Sequence, residues 1–163
     1  MSVKVTVFNK QKAVSVTPEI KKLIRQACKA TLKSEEISFD AQIDVSIVDD
    51  EQIKVLNSEY RDVDASTDVL SFPLGENGEY DINPESNLYM LGDVVISIEH
   101  ALSQADLYGH GADREIAYLT VHSVLHLLGY DHIHSSKEKS VMRAKEEKAL
   151  SMLGLTIGEN NGK

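Results

Sequence analysis

Apolar residues alternate with polar ones at Val3, Val5 and Val7, and again at Ile43, Val45 and Ile47, the two-residue period of a half-buried strand. Between these stretches the period changes. Ile20, Ile24, Cys28 and Leu32 recur every four residues with Leu23 beside them, so one face of a helix runs to about Lys33. Thr17 and Pro18 start it, as an N-cap side chain followed by a proline at the first helical position. Asp49 or Asp50 caps a second helix, which turns Ile53 and Leu56 inward and closes near Tyr60 and Arg61. Residues 68–72 read as a short strand ended by Pro73, and the polar residues 75–87, with Gly78 and Pro84, as a loop. Residues 91–98 form a fourth strand, buried on both faces around 94–96.

A helix over residues 98–108 is joined by Gly109, His110 and Gly111 to the most informative stretch of the chain. This is residues 115–132, E-I-A-Y-L-T-V-H-S-V-L-H-L-L-G-Y-D-H. It is apolar nearly all round, as expected of a buried helix. His122 and His126 are four apart and project from one helix face. Gly129 offers a left-handed stop, and the turn through Tyr130 and Asp131 swings His132 back toward the pair. Three imidazoles with no fourth protein ligand are how a catalytic zinc is usually held, one position being left for water. Another first-row divalent ion is compatible with the same three ligands. The bland alternative is two core histidines bonded to backbone carbonyls. Beyond the triad, Ser135 and Glu138 form a capping box for a charged last helix that runs to Leu153, with Gly154 as its C-terminal cap.

The element order is therefore β-α-β-α-β-β-α-α-α. It predicts an α+β fold in which a small mixed four-stranded sheet is packed with helices and the histidine helix is central. Which strands pair, and in which direction, the pattern leaves open. At 163 residues the chain forms one domain, residues 1–155, with 156–163 as a flexible tail. No apolar run approaches the ~20 residues that cross a bilayer. The N-terminal stretch reads as a strand rather than a signal peptide. Cys28 is the only cysteine, so no intrachain disulfide forms and a cytoplasmic home is expected. The net charge of −9 argues against a protein that coats nucleic acid indiscriminately. An acidic enzyme can still act on RNA through a small basic cleft or a docking partner.

His122, His126, Gly129 and His132 share the spacing of the metzincin proteases, H-E-x-x-H-x-x-G-x-x-H, hence a zincin-like arrangement. Ser123, however, stands where that signature needs its general base, and no Met-turn follows; Met142 lies inside the charged helix. The stretch from His122 to His132 resembles much more closely the YbeY family, bacterial metal-dependent endoribonucleases of rRNA maturation, with the pattern H-G-x-L-H-L-x-G-Y-D-H. The resemblance extends to Leu56-Asn57 with Tyr60-Arg61, to T-D-V-L-S-F-P from Thr67, and to G-D-V-V-I-S from Gly92. Ser123 departs from the family's usual glycine, which bears on how closely a substrate or neighbouring strand approaches that face.

The resemblance implies a metal-dependent hydrolase domain acting on single-stranded RNA and not on DNA. It implies trimming near the 3′ end of 16S rRNA, a part in ribosome quality control, and the small ribosomal subunit or its proteins as partners. One zinc per chain would sit on His122, His126 and His132. Arg61's guanidinium suits phosphate binding and charge stabilisation, with an exposed helix-end cation an even alternative from the residues alone; the resemblance favours the first, since Arg61 matches an arginine that the family ties to activity. Asp131 is a candidate for orienting a ligand or assisting proton transfer, and equally a turn residue. Thr67 and Asp68 either line the cleft or merely start a strand, the second being preferred, and Asp93 in its buried strand needs a partner, with a supporting place behind the metal ligands as one option. His100, His110 and His134 are expected to be solvated. The rival readings are a metallopeptidase using the same triad and a non-catalytic ribosome-assembly factor with a structural metal. Ligating imidazoles must be neutral, so zinc affinity is expected to fall as pH drops through ~6.5. Titration of zinc binding from about pH 8 to about pH 5 brackets that value, and a flat affinity would argue against histidine ligation.

Overall fold

A computed structural model describes residues 1–76, 78–130 and 135–155. The elements are β1 (Val3–Asn9), α1 (Pro18–Ser34), β2 (Ala41–Val48), α2 (Asp50–Arg61), β3 (Val69–Pro73), β4 (Tyr89–Ser97), α3 (Ile98–Tyr108), α4 (Ala112–Leu127) and α5 (Ser136–Ser151). This is the order that the hydrophobic periods predict, and the fold is α+β. The expected tail lies outside the described residues. No helix among the described residues is long and apolar enough to cross a membrane.

The caps are those the sequence signals. Thr17 accepts from the Ile20 N–H, with Pro18 at the first helical position. Of the two aspartates before α2, Asp49 is the cap, and Gln52 completes its capping box. Ser135 and Glu138 form the second capping box at the head of α5. Two boundaries differ from expectation by two residues, and the third strand is shifted by one, to Val69–Pro73. The fourth strand begins at Tyr89, because Tyr89 and Met90 already pair with Ala41 and Gln42. Helix α5 stops at Ser151, where the Leu153 and Leu155 N–H groups both bond the Leu150 carbonyl and Gly154 takes φ +75°.

Strand order is β1-β2-β4-β3, with β1–β2 and β2–β4 parallel and β3–β4 antiparallel. One sheet face carries Val5, Val7, Ile43, Val45, Ile47, Val94 and Ile96 into a core shared with Ile24, Cys28 and Leu32 of α1 and Ile116, Leu119, Val124 and Leu127 of α4. The other face is partly covered by α2 through Ile53. Helix α4 packs against α1, α3, α5, β3 and β4. Cys28 is a buried core residue, as expected, and burial raises its thiol to about 12, which leaves it inert at neutral pH.

Close approach of α4 to the sheet depends on Gly92. Between Gln42 and Ile43 the register of β4 slips by one residue, a bulge that places Gly92 at φ +148°. A Cβ there would stand 2.4 Å from the Phe72 carbonyl oxygen and 2.8 Å from a Leu127 methyl. Gly92→Ala is expected to destabilise the protein by about 2–4 kcal/mol, combining backbone strain with overpacking. Denaturant unfolding reads this directly; an unchanged midpoint would show that β3 and α4 yield freely around the bulge.

Candidate metal centre

Helix α4 puts His122 and His126 on one face, one turn apart, and their Nε2 atoms stand 2.9 Å from each other. The rings meet nearly edge to face at 81°. On its other side, His122 Nδ1 lies 2.5 Å from Oε2 of Glu146. Glu146 comes from α5 and is only 4% exposed. A carboxylate there holds the imidazole proton on Nδ1 and leaves the Nε2 lone pair directed at the shared point. Two ring nitrogens aimed at one locus, one backed by a buried carboxylate, form a donor set that fits a divalent metal. Among the described residues no group of three metal-type side chains occurs. The third expected ligand, His132, lies outside the described residues, as do Asp131 and His134.

The described residues that follow α4, Gly129 and Tyr130, are well anchored. Gly129, at φ +108°, ends α4, and the Tyr130 N–H closes back on the Leu125 carbonyl at 3.1 Å. The Tyr130 hydroxyl donates to Glu35 Oε1 at 2.6 Å, and Lys145 Nζ meets Glu35 Oε2 at 3.1 Å. This stretch is thereby tied to both α1 and α5.

His122 and His126 open into a recess of about 440 Å³ whose walls include Arg61, Asp68, Ser71 and Tyr118. Arg61 is exposed but oriented. Its Nη2 donates to the Ser71 carbonyl at 2.6 Å, and the guanidinium carbon lies 5.2 Å from the Phe72 ring centre. Ser123 is buried, and its hydroxyl lies 2.5 Å from that of Ser71. The residue that departs from the family's glycine therefore pins α4 to β3 and is not among the residues lining the recess. Tyr118 stacks at an angle on His122, with ring centres 5.7 Å apart. Burial, reinforced by Glu146, Glu115 and Asp68, pushes its phenol up against the opposing pull of Arg143, so it stays protonated.

Other expected residues fall away from the site or take local roles. Asp68 lines the recess, and its Oδ1 accepts from the Val69 N–H at 2.8 Å and from the Thr67 hydroxyl at 3.3 Å. Asp93 is not behind the metal ligands: it pairs in register with Asp44 on the opposite sheet face. Burial and Asp44 raise its pKa, while Lys10 lowers it. His100 and His110 are not simply solvated. His100 Nδ1 lies 3.1 Å from Asp50, and His110 Nε2 lies 2.7 Å from buried Glu115. Glu146 and Tyr118 were not among the candidates, although both left a signal. Met142, Glu146, Ala149 and Leu150 form the buried stripe of α5, so Glu146 is a carboxylate on an apolar face. Tyr118 sits one turn before His122.

The sequence pattern of the family described as Endoribonuclease YbeY matches residues 6–154. An endoribonuclease YbeY from Caldanaerobacter subterraneus subsp. tengcongensis is 48% identical over 156 residues, covering 93% of this chain and 98% of the relative. One from Caldicellulosiruptor bescii is 49% identical over 159 residues, covering 94% and 99%. The solution structure of a Thermotoga maritima protein, 21% identical, superposes with a TM-score of 0.59 and covers 98% of this chain and 95% of that one, a likeness of fold. Matched nearly end to end by relatives of one kind, the chain belongs to the Endoribonuclease YbeY family.

Proposed function

We propose that this endoribonuclease cleaves single-stranded RNA at the His122–His126 recess, with one zinc ion held by those two residues and His132. The observation that carries the proposal is the convergence of the two Nε2 atoms beside an oriented guanidinium, with Glu146 fixing the outer nitrogen of His122. When bound, the metal supplies Lewis acidity at the scissile phosphate and an activated water at neutral pH.

The chain's own residues supply the rest. Arg61 is held at the rim by the Ser71 carbonyl and the Phe72 ring, which leaves its remaining N–H groups for the non-bridging oxygens of a phosphate. Tyr118, kept protonated, can donate from the recess wall. Asp131, next to His132 in sequence, is assigned the orientation of a ligand or a proton transfer; for His122 the orienting carboxylate is Glu146. The proposed biological role is maturation of the 16S rRNA 3′ end and ribosome quality control. It is proposed to act in the cytoplasm on small ribosomal subunits. The support for these is the resemblance of the motifs and the absence of any possible intrachain disulfide.

The edge strand favours RNA over an extended peptide as substrate. Strand β3 is at the sheet edge beside the recess. The Ser97 N–H bonds the Asp68 carbonyl and the Leu74 N–H bonds the Leu91 carbonyl, so even-numbered positions face β4 and the backbone of Val69, Ser71 and Pro73 faces outward. The Val69 N–H is taken by Asp68, the Ser71 carbonyl by Arg61, and Pro73 has no N–H. A peptide adding as a further strand meets one outward N–H and one outward carbonyl that are already engaged, and a proline that offers no donor.

Metal content and cleavage of a single-stranded RNA, measured together, test the proposal. Wild type is expected to carry near-stoichiometric zinc, His126→Ala to lose both metal and cleavage, and Arg61→Ala to keep metal while cleavage falls about 10²–10³-fold. Hydrolysis of casein with no effect on RNA would overturn it. Glu146→Ala is expected to weaken zinc binding about 10–100-fold, with Glu146→Gln recovering part of the loss. Equal zinc affinity in all three proteins would remove Glu146 from the site.

A further inference from the structure

The basic residues of α5 divide between two directions. Lys145 reaches Glu35, and Lys148 Nζ reaches the Ser34 carbonyl at 3.3 Å, so both are tied to α1. Lys139 and Arg143, one turn apart, point elsewhere. With Ser140, Met142, Glu146, Tyr118 and His122 they line a second recess of about 270 Å³. Tyr118 and His122 line the first recess too, so the two cavities share a wall at the candidate metal centre. Lys139 and Arg143 are exposed, and neither forms an ion pair with a described residue. Glu146, the carboxylate within this recess, is buried and engaged by His122.

The paired histidines thus have Arg61 in one adjoining recess and an unengaged Lys–Arg pair in the other. In a chain with net charge −9 this is a local reversal of sign. Exposed cations left without carboxylate partners beside a strand-cleaving site match a repeating anion. An aromatic ring on the shared wall suits the unstacked bases of a single strand. We infer that the Lys139–Arg143 recess is a second phosphate subsite for single-stranded RNA, the strand crossing the histidine pair between Arg61 and α5. This rests on the reading of the first recess as the site of RNA cleavage. Ser140 adds a hydroxyl to the same wall, and Tyr118 lies where the strand passes from one recess to the other.

The test is fluorescence anisotropy of a labelled single-stranded oligoribonucleotide over a salt series. It compares wild type, the double variant Lys139→Gln/Arg143→Gln, and Lys137→Gln as a control on the same helix. Zinc content is measured on each. The double variant is expected to retain zinc, to bind more weakly, and to lose about 1.4 from the slope of log affinity against log salt, at ~0.7 per phosphate contact on a single strand. Its cleavage should fall further on the oligonucleotide than on a dinucleotide, and Lys137→Gln should match wild type in slope. Wild-type affinity and slope in the double variant would overturn the subsite while leaving the cleavage reading intact. Competition by polyglutamate as effective as that by RNA would also overturn it. Failure of wild type itself to bind or cleave RNA would remove the cleavage reading and the subsite together.

Discussion

Enclosure of α4 is the constraint on which the site depends. The helix is flanked by α1, α3, α5, β3 and β4, and ten of its sixteen residues are buried. A helix so enclosed has little freedom to rotate or slide, so the His122 and His126 nitrogens inherit the rigidity of the core. Burial also favours partners for polar atoms on the helix, and several find one, although Arg114 Nε and Nη2 have no hydrogen-bond partner among the described residues. Ser123 meets Ser71, Thr120 bonds the Ile116 carbonyl, Glu115 receives His110 and Gln104, and His122 meets Glu146. The same demand that keeps the core stable therefore assembles the surroundings of the site.

Strand β3 carries the complementary half of the recess. Its one exposed edge is not left as a free template for pairing. Asp68 covers one outward N–H and Arg61 one outward carbonyl. This protects an edge strand from adventitious strand addition, and it also fixes Arg61 across from the histidines. One hydrogen bond serves both ends, because the Ser71 carbonyl lies where the guanidinium must be held. Ser71 turns its hydroxyl to α4 while its carbonyl holds Arg61, so a single residue couples helix, strand and the guanidinium at the rim.

Periodicity and capping signals were enough to place the nine elements of the described residues in order, because burial of one face and the helix caps leave local patterns. Thr17-Pro18, Asp49 with Gln52, and Ser135 with Glu138 act locally and read plainly. The sheet order β1-β2-β4-β3 was not legible, since strand pairing depends on long-range packing that a two-residue period does not encode. The site divides along the same line. His122 and His126 share one helix, so their convergence follows from spacing alone. Arg61 was evenly divided in the sequence between a phosphate-binding guanidinium and an exposed helix-end cation, and resemblance to a family tipped it, since nothing near it in sequence marks the approach of β3. Glu146 lies 24 positions from His122 and is joined to it by tertiary packing. Its one sequence signal was a carboxylate on the buried stripe of α5. Asp93 misled for the converse reason: a strand flanked by apolar residues suggests burial near the core helix, whereas the alternation of side chains turns this aspartate to the opposite face.

An acidic chain that handles RNA must do so over short distances. At physiological ionic strength, charges separated by more than ~8 Å in solvent are largely screened, so the net charge of −9 acts weakly on a phosphate already inside the recess. What that phosphate meets is the local set: Arg61 beside it, Lys139 and Arg143 beyond the shared wall, and a protonated Tyr118 between. The net charge of −9 disfavours non-specific association with nucleic acid. Local attraction within a repulsive surface favours a flexible single strand, whose backbone can enter the recess alone. A rigid duplex would bring its second strand against the acidic exterior. The proposed preference for a single-stranded substrate accords with that balance of charge.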